Sequence, residues 1–206
     1  TMGDPSGGGL AGAINQISRG RDVDSEVTIF NAGTSSATVT LTGSYFGGGL
    51  PDFVRTFQIP AGSVRVLDAK QTGLTNNQTA GLRYTSSSPV AILVNQIRRG
   101  DADATLAATE AGTTAFFGAG YLTPAGAGTK YFETLSFYNP AGAAISVDVN
   151  VLFLSGASTT LTITVGANSF SAIDLHTSSQ ILTAQGRTAE FSIIATSSSP
   201  FASSFS

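Results

Sequence analysis

The residues of this chain that could do chemistry are few, and the most suggestive are carboxylates set two apart. "DVDSE" places Asp22, Asp24 and Glu26 at alternate positions, and "DAD" does the same with Asp101 and Asp103. Alternate residues of a strand share one face, so each run would gather its oxygens on one side near a strand end. Ca2+ takes about six to eight oxygen ligands, which clustered carboxylates and loop carbonyls supply. These five residues are the candidate calcium ligands. Their spacing is not that of an EF-hand loop, whose glycine and closing glutamate are missing. Arg19, Arg21, Arg98 and Arg99 stand beside the same acids, so ion pairing is the competing use.

Nothing comparable points to catalysis. His176 is the only histidine and there is no cysteine, so thiolate metal sites and shared imidazole sites are unavailable. A G-x-S-x-G nucleophile elbow is absent. "GGGL" occurs at Gly7–Leu10 and Gly47–Leu50 without the Lys-Ser/Thr that a phosphate loop requires. "RGD" at Arg99–Asp101 is too short a match to signal a receptor. Asn77-Gln78-Thr79 fits the glycosylation acceptor pattern in a stretch that reads as an exposed loop. There is no tryptophan. Phe116, Phe117 and Tyr121, like Phe132 and Phe137, sit at strand periodicity and read as core rather than as a sugar-stacking platform. The expectation is a protein that is not an enzyme and that holds no cofactor, calcium excepted.

The bulk composition narrows the partners. Hydrophobic residues are 41% of 206, enough for real cores, while charged residues are 11% against a typical value of about 25%. The net charge is -3 and the basic residues are mostly scattered arginines, with Lys70 and Lys130 the lysines. That is not the basic footprint of a nucleic-acid binder. No run approaches the roughly 20 apolar residues of a transmembrane helix. "TMGDPSGGG" lacks a basic region followed by an apolar stretch, so any signal peptide is expected to have been removed. Few lysines, no cysteine and abundant Ser and Thr suggest an extracellular or cell-surface location.

Behind these residues stand runs of alternating apolar and polar residues, rich in Val, Ile, Thr and Phe, which is the period of a strand. "SEVTIFN", "ATVTLTGSYF", "FVRTFQI", "SVRVLDA", "AGLRYTS" and "PVAILVNQI" follow one another through the first half. Glycine, proline and asparagine punctuate them, as turns require. The second half repeats the order. "FETLSFYNPAG" matches "EVTIFNAGT", "ISVDVNVLFL" matches "ATVTLTGSYF", and "AEFSIIATSSSP" matches "AGLRYTSSSP". Asn31 and Asn139 both fall just past a strand, where a side-chain amide can cap a turn. The repeated "SSSP" is expected to break one strand from the next. Repetition at this length means duplication of a whole domain. The fold class is therefore all-β, with two tandem immunoglobulin-like antiparallel sandwiches, residues 1–107 and 108–206. Their boundary falls in "DADATLAATEAG", the least strand-like stretch.

The order "FFGAGYL … FETLSFYNPAGAAISVDVNVLFLSG … TLTITVGANSFSAIDL … FSIIATSSSPFASSFS" resembles the tandem sandwich repeats of bacterial secreted and cell-surface proteins. The second half fits over nearly all its length. The first half departs, with Asn31-Ala32 in place of Asn-Pro. The resemblance implies a surface or structural role and brings no catalytic residues.

The two ends suggest assembly. "INQISRGRDVD" near the start is similar to "VNQIRRGDAD", which follows the first "TSSSP", whereas only "FASSFS" follows the second. Residues 1–20 of one subunit could supply the missing strand to another, with Leu10, Ile14 and Ile17 meeting Phe201 and Phe205. A contact of that kind is head to tail and builds a filament or surface layer. The alternative placement makes the same segment the first strand of its own domain, as "AFFGAGYL" is of the second. The functional expectation is an extracellular structural subunit whose partner is itself. The competing one is a monomeric surface adhesion or carbohydrate-binding module.

Overall fold

A computed structural model describes residues 8–20, 23–46, 50–98, 101–123, 133–185 and 190–205, with backbone alone at 98 and 101–103. The chain divides into two compact units, Thr1–Glu110 and Ala111–Ser206. Unit 1 holds β1 (Gly9–Arg19), β2 (Val23–Asn31), β3 (Ala37–Tyr45), β4 (Phe53–Ile59), β5 (Ser63–Asp68), the one-turn helix α1 (Ala69–Thr72), β6 (Gln78–Arg98) and β7 (Asp101–Leu106). Unit 2 holds β8 (Gly112–Tyr121), β9 (Thr134–Tyr138), β10 (Ile145–Phe153), β11 (Ser158–Val165), β12 (Phe170–Asp174), a 3-10 turn (Leu175–Thr177), α2 (Ser179–Gln185) and β13 (Glu190–Phe205). The protein is all-β apart from these short helical turns, and the ladders between strands are antiparallel.

One long strand organises each unit. The first part of β6 pairs with β3, from Tyr45↔Ala80 to Val39↔Ser86, and with β1. Its later part pairs with β2, from Phe30↔Ala91 to Val23↔Arg98, and with β7. The partners change across Ser86–Pro89. β13 does the same, leaving β10 after Thr196 and joining β9 from Ala202 onward, with one further pair to β8 at Phe201↔Gly112. "SSSP" therefore does not end a strand, contrary to the sequence expectation. It carries one strand from the first ladder set to the second. Proline lacks an N–H, and a corner is where the missing donor costs no ladder bond. Local serines supply polar partners there: the Ser88 N–H donates to Ser86 Oγ at 3.5 Å and the Ser199 N–H to Ser197 Oγ at 3.3 Å.

The inner faces of each curled sheet meet in a core of its own. In unit 1 it is built on Ile14, Ile17, Val27, Ile29, Val39, Leu41, Leu82 and Val94. In unit 2 it is built on Leu135, Phe137, Val147, Val149, Val151, Ile193 and Phe201. The alternation of burial along β10, with every second residue from Ile145 to Phe153 buried, is the strand period made physical.

The two asparagines singled out in the sequence are fully buried. Asn31 Nδ2 reaches the carbonyls of Ser35, Ile59 and Pro60 at 2.8, 3.0 and 3.2 Å, and its Oδ1 accepts from the Gly33 N–H at 3.0 Å. Asn139 repeats the pattern in unit 2. Its Nδ2 reaches Ala143, Val165 and Gly166 at 2.8, 3.1 and 2.8 Å, while Oδ1 accepts from Ala141 N–H at 2.9 Å. Each carboxamide ties the turn after its own strand to the end of β4 or β11. Backbone groups at those turns would otherwise be buried without partners.

Two glycines serve close approach. Gly43 lies opposite Phe53 and Gly120 opposite Phe191. A Cβ at either place would stand 2.0 or 2.2 Å from the facing ring, so each aromatic covers the bare backbone of its neighbour.

Helix content is minor, but its positions are informative. Asp68 caps α1: the Gln71 N–H donates to Asp68 Oδ1 at 2.7 Å and the Asp68 N–H to Gln71 Oε1 at 2.9 Å. This is a capping box, and Gly73 closes the turn with φ 105. The "DADATLAATEAG" stretch, which reads as the least strand-like, nevertheless contains a strand, because Asp101–Leu106 forms β7 paired with β6.

Replacing Asn31 or Asn139 by alanine is expected to cost about 2–4 kcal/mol, since several buried backbone groups lose their partner at once. Scanning calorimetry should show one unit melting earlier and the other unchanged. Equal shifts in both units, or none, would contradict the independence of the two asparagine turns.

Candidate functional site

The calcium candidates do not assemble among the described residues. Asp22 and the side chains of Asp101 and Asp103 lie outside them. Asp24 is exposed, and its Oδ1 accepts from the Ser25 N–H at 3.0 Å. Glu26 stands two residues along β2, in register with Asp68 of β5, a neighbour the sequence reading did not name. No group of three or more His, Asp or Glu side chains there is placed to hold a metal ion. Of the four arginines that compete for these acids, Arg19 donates from Nη1 to the Leu74 carbonyl at 3.0 Å, and Arg21, Arg99 and the side chain of Arg98 lie outside the described residues. His176 sits in the 3-10 turn after β12, and Asn77 is exposed in a turn with φ 58.

The residues expected to form an exchanged strand are seated in their own units. β1 pairs along β6, from Gly9↔Val90 to Arg19↔Gln78. Ile14 and Ile17 are buried in the unit 1 core, while Leu10 is exposed at a bulge. Phe201 is buried against Phe137, with ring centroids 5.7 Å apart. Phe205 packs on Phe117 at 5.6 Å and Phe191 at 6.0 Å. Of the two placements weighed from sequence, β1 occupies the one within its own unit. Its apolar side chains point to that unit's core, which explains the choice.

The same position in the two units ends differently. In unit 1, Ala13 lies opposite Arg83; in unit 2, Phe116 lies opposite Ile194, with a matching bulge just beyond each. The far side of β1 is closed at Ala13: its N–H donates to the Ala108 carbonyl at 2.9 Å, and the Ala108 N–H donates back to Ala13 at 2.8 Å. Ala108 follows β7, so β7 and its extension span the gap between β6 and β1. β8 has no such cover. Among the described residues its only ladder is with β13, and at Tyr121 the carboxylate of Glu133 accepts the backbone N–H at 2.9 Å. From Gly112 to Gly120 no described residue pairs with the outer edge.

That edge is also apolar and uncharged. β8 reads GTTAFFGAGY, without a proline or a charge. Phe116 is 72% exposed and Tyr121 is 39% exposed, so both depart from the core role expected of them, whereas Phe117 packs on the core. Beside the strand a trough of about 550 Å3 runs over Gly118, Gly120, Leu152, Leu154, Glu190 and Ser192. Unit 1 has an exposed apolar surface too among the described residues, on the outer face of β5, β2, β6 and β7. There Val64 faces Phe30, Val66 faces Thr28, and Leu93 faces Leu106 across the ladders. Phe30, Val64, Val66 and Leu106 are all exposed.

Sequence reasoning missed these surfaces because a two-residue period gives alternation without saying which set faces inward. The signal that was available is the run of ten residues in β8 without a charge.

Comparison with known proteins finds distant likenesses among solved structures alone. No protein-family model matches the chain, and no curated protein is similar to it. Among solved structures, the Thermotoga maritima 1070 protein is similar to 48% of this chain over 93% of its own length, with 14% identity and a TM-score of 0.43. The Anabaena sensory rhodopsin transducer is similar to 46% of this chain over 95% of its own, with 15% identity and a TM-score of 0.41. Neither likeness bears on what this chain does. No helix among the described residues is long and apolar enough to cross a membrane.

The closed and open edges predict different responses to substitution. Ala108→Pro removes the N–H that Ala13 accepts and should destabilise unit 1 by about 1–3 kcal/mol. Phe116→Ala should leave unit 2 of the monomer within about 0.5 kcal/mol of the parent. Urea unfolding followed separately for each unit checks both values.

Proposed function

We propose that the chain is an extracellular structural subunit that associates with copies of itself into a filament or surface layer, and that it is not an enzyme. In this reading the units are duplicated immunoglobulin-like sandwiches, akin to the tandem repeats of bacterial surface proteins. The observation that supports it most is a bare apolar surface on each unit: the β8 edge on unit 2 and the β5–β2–β6–β7 face on unit 1. Monomers rarely leave such surfaces uncovered, and an unguarded strand edge is a template for another strand. Two attachment surfaces per copy are what an open assembly needs. Joining the two different surfaces is head to tail, and joining each surface to its like is two-fold; either way a free surface remains at both ends of the growing object. Donation of residues 1–20 is no longer part of the reading, because β1 is committed to its own core.

The trough beside β8 favours a second reading, a monomeric module that attaches to a surface ligand. Its apolar floor and the nearby Glu190 carboxylate and Ser192 hydroxyl suit the mixed surface of a carbohydrate. Negative-stain microscopy with sedimentation velocity separates the two. The structural reading predicts objects of uniform width that dissociate when Val64 and Val66 are replaced by glutamate. Monodisperse single copies at every concentration tested would exclude it and leave the binding module.

A further inference from the structure

The β8 edge also indicates which strand covers it. Within the described residues, the terminal strands of the two sheets are β4, β5 and β7 in unit 1 and β8, β11 and β12 in unit 2. Most are guarded in the way edge strands usually are. β4 carries Arg55, β5 carries Arg65 and Asp68, β7 carries Asp101 and Asp103, and β12 carries Asp174. β11 has no charge, but α2 covers it: Gln180 Nε2 donates to the Thr160 carbonyl at 2.7 Å and to Thr159 Oγ1 at 3.1 Å. Among the described residues β8 has neither guard nor cover.

We propose that β8 pairs antiparallel with β8 of a second copy, centred on Phe116, so that one sheet runs across a two-fold axis. The register follows from the other unit. Ala13, the counterpart of Phe116, exchanges both backbone hydrogen bonds with one facing residue, Ala108. An antiparallel pair of that type can sit on a two-fold axis, with a residue facing its own copy. Phe116 then exchanges N–H and C=O bonds with Phe116 of the second copy, and the two rings lie side by side on the outer face. Thr114 faces Gly118 on either side of the axis. No heavy atom beyond its chain neighbours lies within 4 Å of where a Cβ on Gly118 would stand, so the face of the strand is open at that position. The occupant is a second β8 because that strand brings no charge to the edge, whereas the other uncovered edges bring one. A nine-residue strand contact is smaller than a standard stable interface, so the dimer is concentration-dependent and depends on Phe116 as its anchor.

This inference rests on the self-assembly reading and fixes the contact made by unit 2. It is tested with the full chain by sedimentation equilibrium of the parent, Phe116→Lys, Phe116→Glu and an equimolar mixture of the two variants. Phe116 is exposed, so both variants fold, which thermal melts confirm. On the axis a lysine meets a lysine or a glutamate a glutamate, and each variant alone should dimerise about 30-fold more weakly or worse. In the mixture lysine meets glutamate, and the dimer returns. Dimerisation of Phe116→Lys at parental strength would overturn the pairing, as would a mixture that stays monomeric while the parent dimerises. If Phe116→Lys still forms extended objects by negative stain, the β8 contact falls while self-assembly stands. A parent that is monomeric and forms no objects removes both.

Discussion

A β-strand has two rows of backbone donors and acceptors, and a fold built from strands must find a partner for each row or leave it to water. This chain meets that constraint by making one strand per unit long enough to serve both sheets. β6 and β13 change partners at a Ser-Ser-Ser-Pro corner, so their two ends are paired in different ladders. The buried asparagines secure the neighbouring turns, each satisfying backbone groups of two separate connections. With corner and turns fixed, β1, β2, β3 and β7 take their register from β6, and β8, β9 and β10 take theirs from β13.

At β1 the constraint is met within unit 1, and at the equivalent β8 it is not met among the described residues. β7 and Ala108 close the side of β1 away from β6 at Ala13. At the equivalent place β8 presents a phenylalanine where β1 presents an alanine. An alanine suits a position covered by a strand of the same molecule. A mostly exposed phenylalanine suits a position that meets apolar surface from elsewhere, because burying it stabilises a contact by its full apolar area.

How much of this could be read beforehand varied with the kind of information involved. The asparagine turns were legible, because Asn31 and Asn139 stand just after a strand in both halves and their amides have a local job. The all-β class followed from alternation. The role of "SSSP" was not legible, since proline argues against a central strand and nothing local reveals that the ladder partners change there. Phe116 and Phe117 are adjacent and chemically identical. Only the pairing of β8 with β13 decides that Phe117 turns to the core and Phe116 to the outside. Both helices were missed: seven residues of α2 are too few for a 3.6-residue pattern to stand out, and the cap of α1, Asp68 with Gln71, begins inside a run that reads as strand. The alternating acids read as a cluster, but placement depends on which strands are neighbours, and Glu26 lies beside Asp68 from a segment more distant in sequence.

The central claim is that the outer edge of β8 is vacant in the single copy and filled by another copy. Amide hydrogen exchange measured across a dilution series addresses it most directly, at the single backbone N–H of Phe116 with that of Ala13 as an internal reference. The account predicts that Ala13 is protected at every concentration while protection at Phe116 appears only as the protein is concentrated. Protection of Phe116 that is already complete at high dilution, or that never appears, would contradict it.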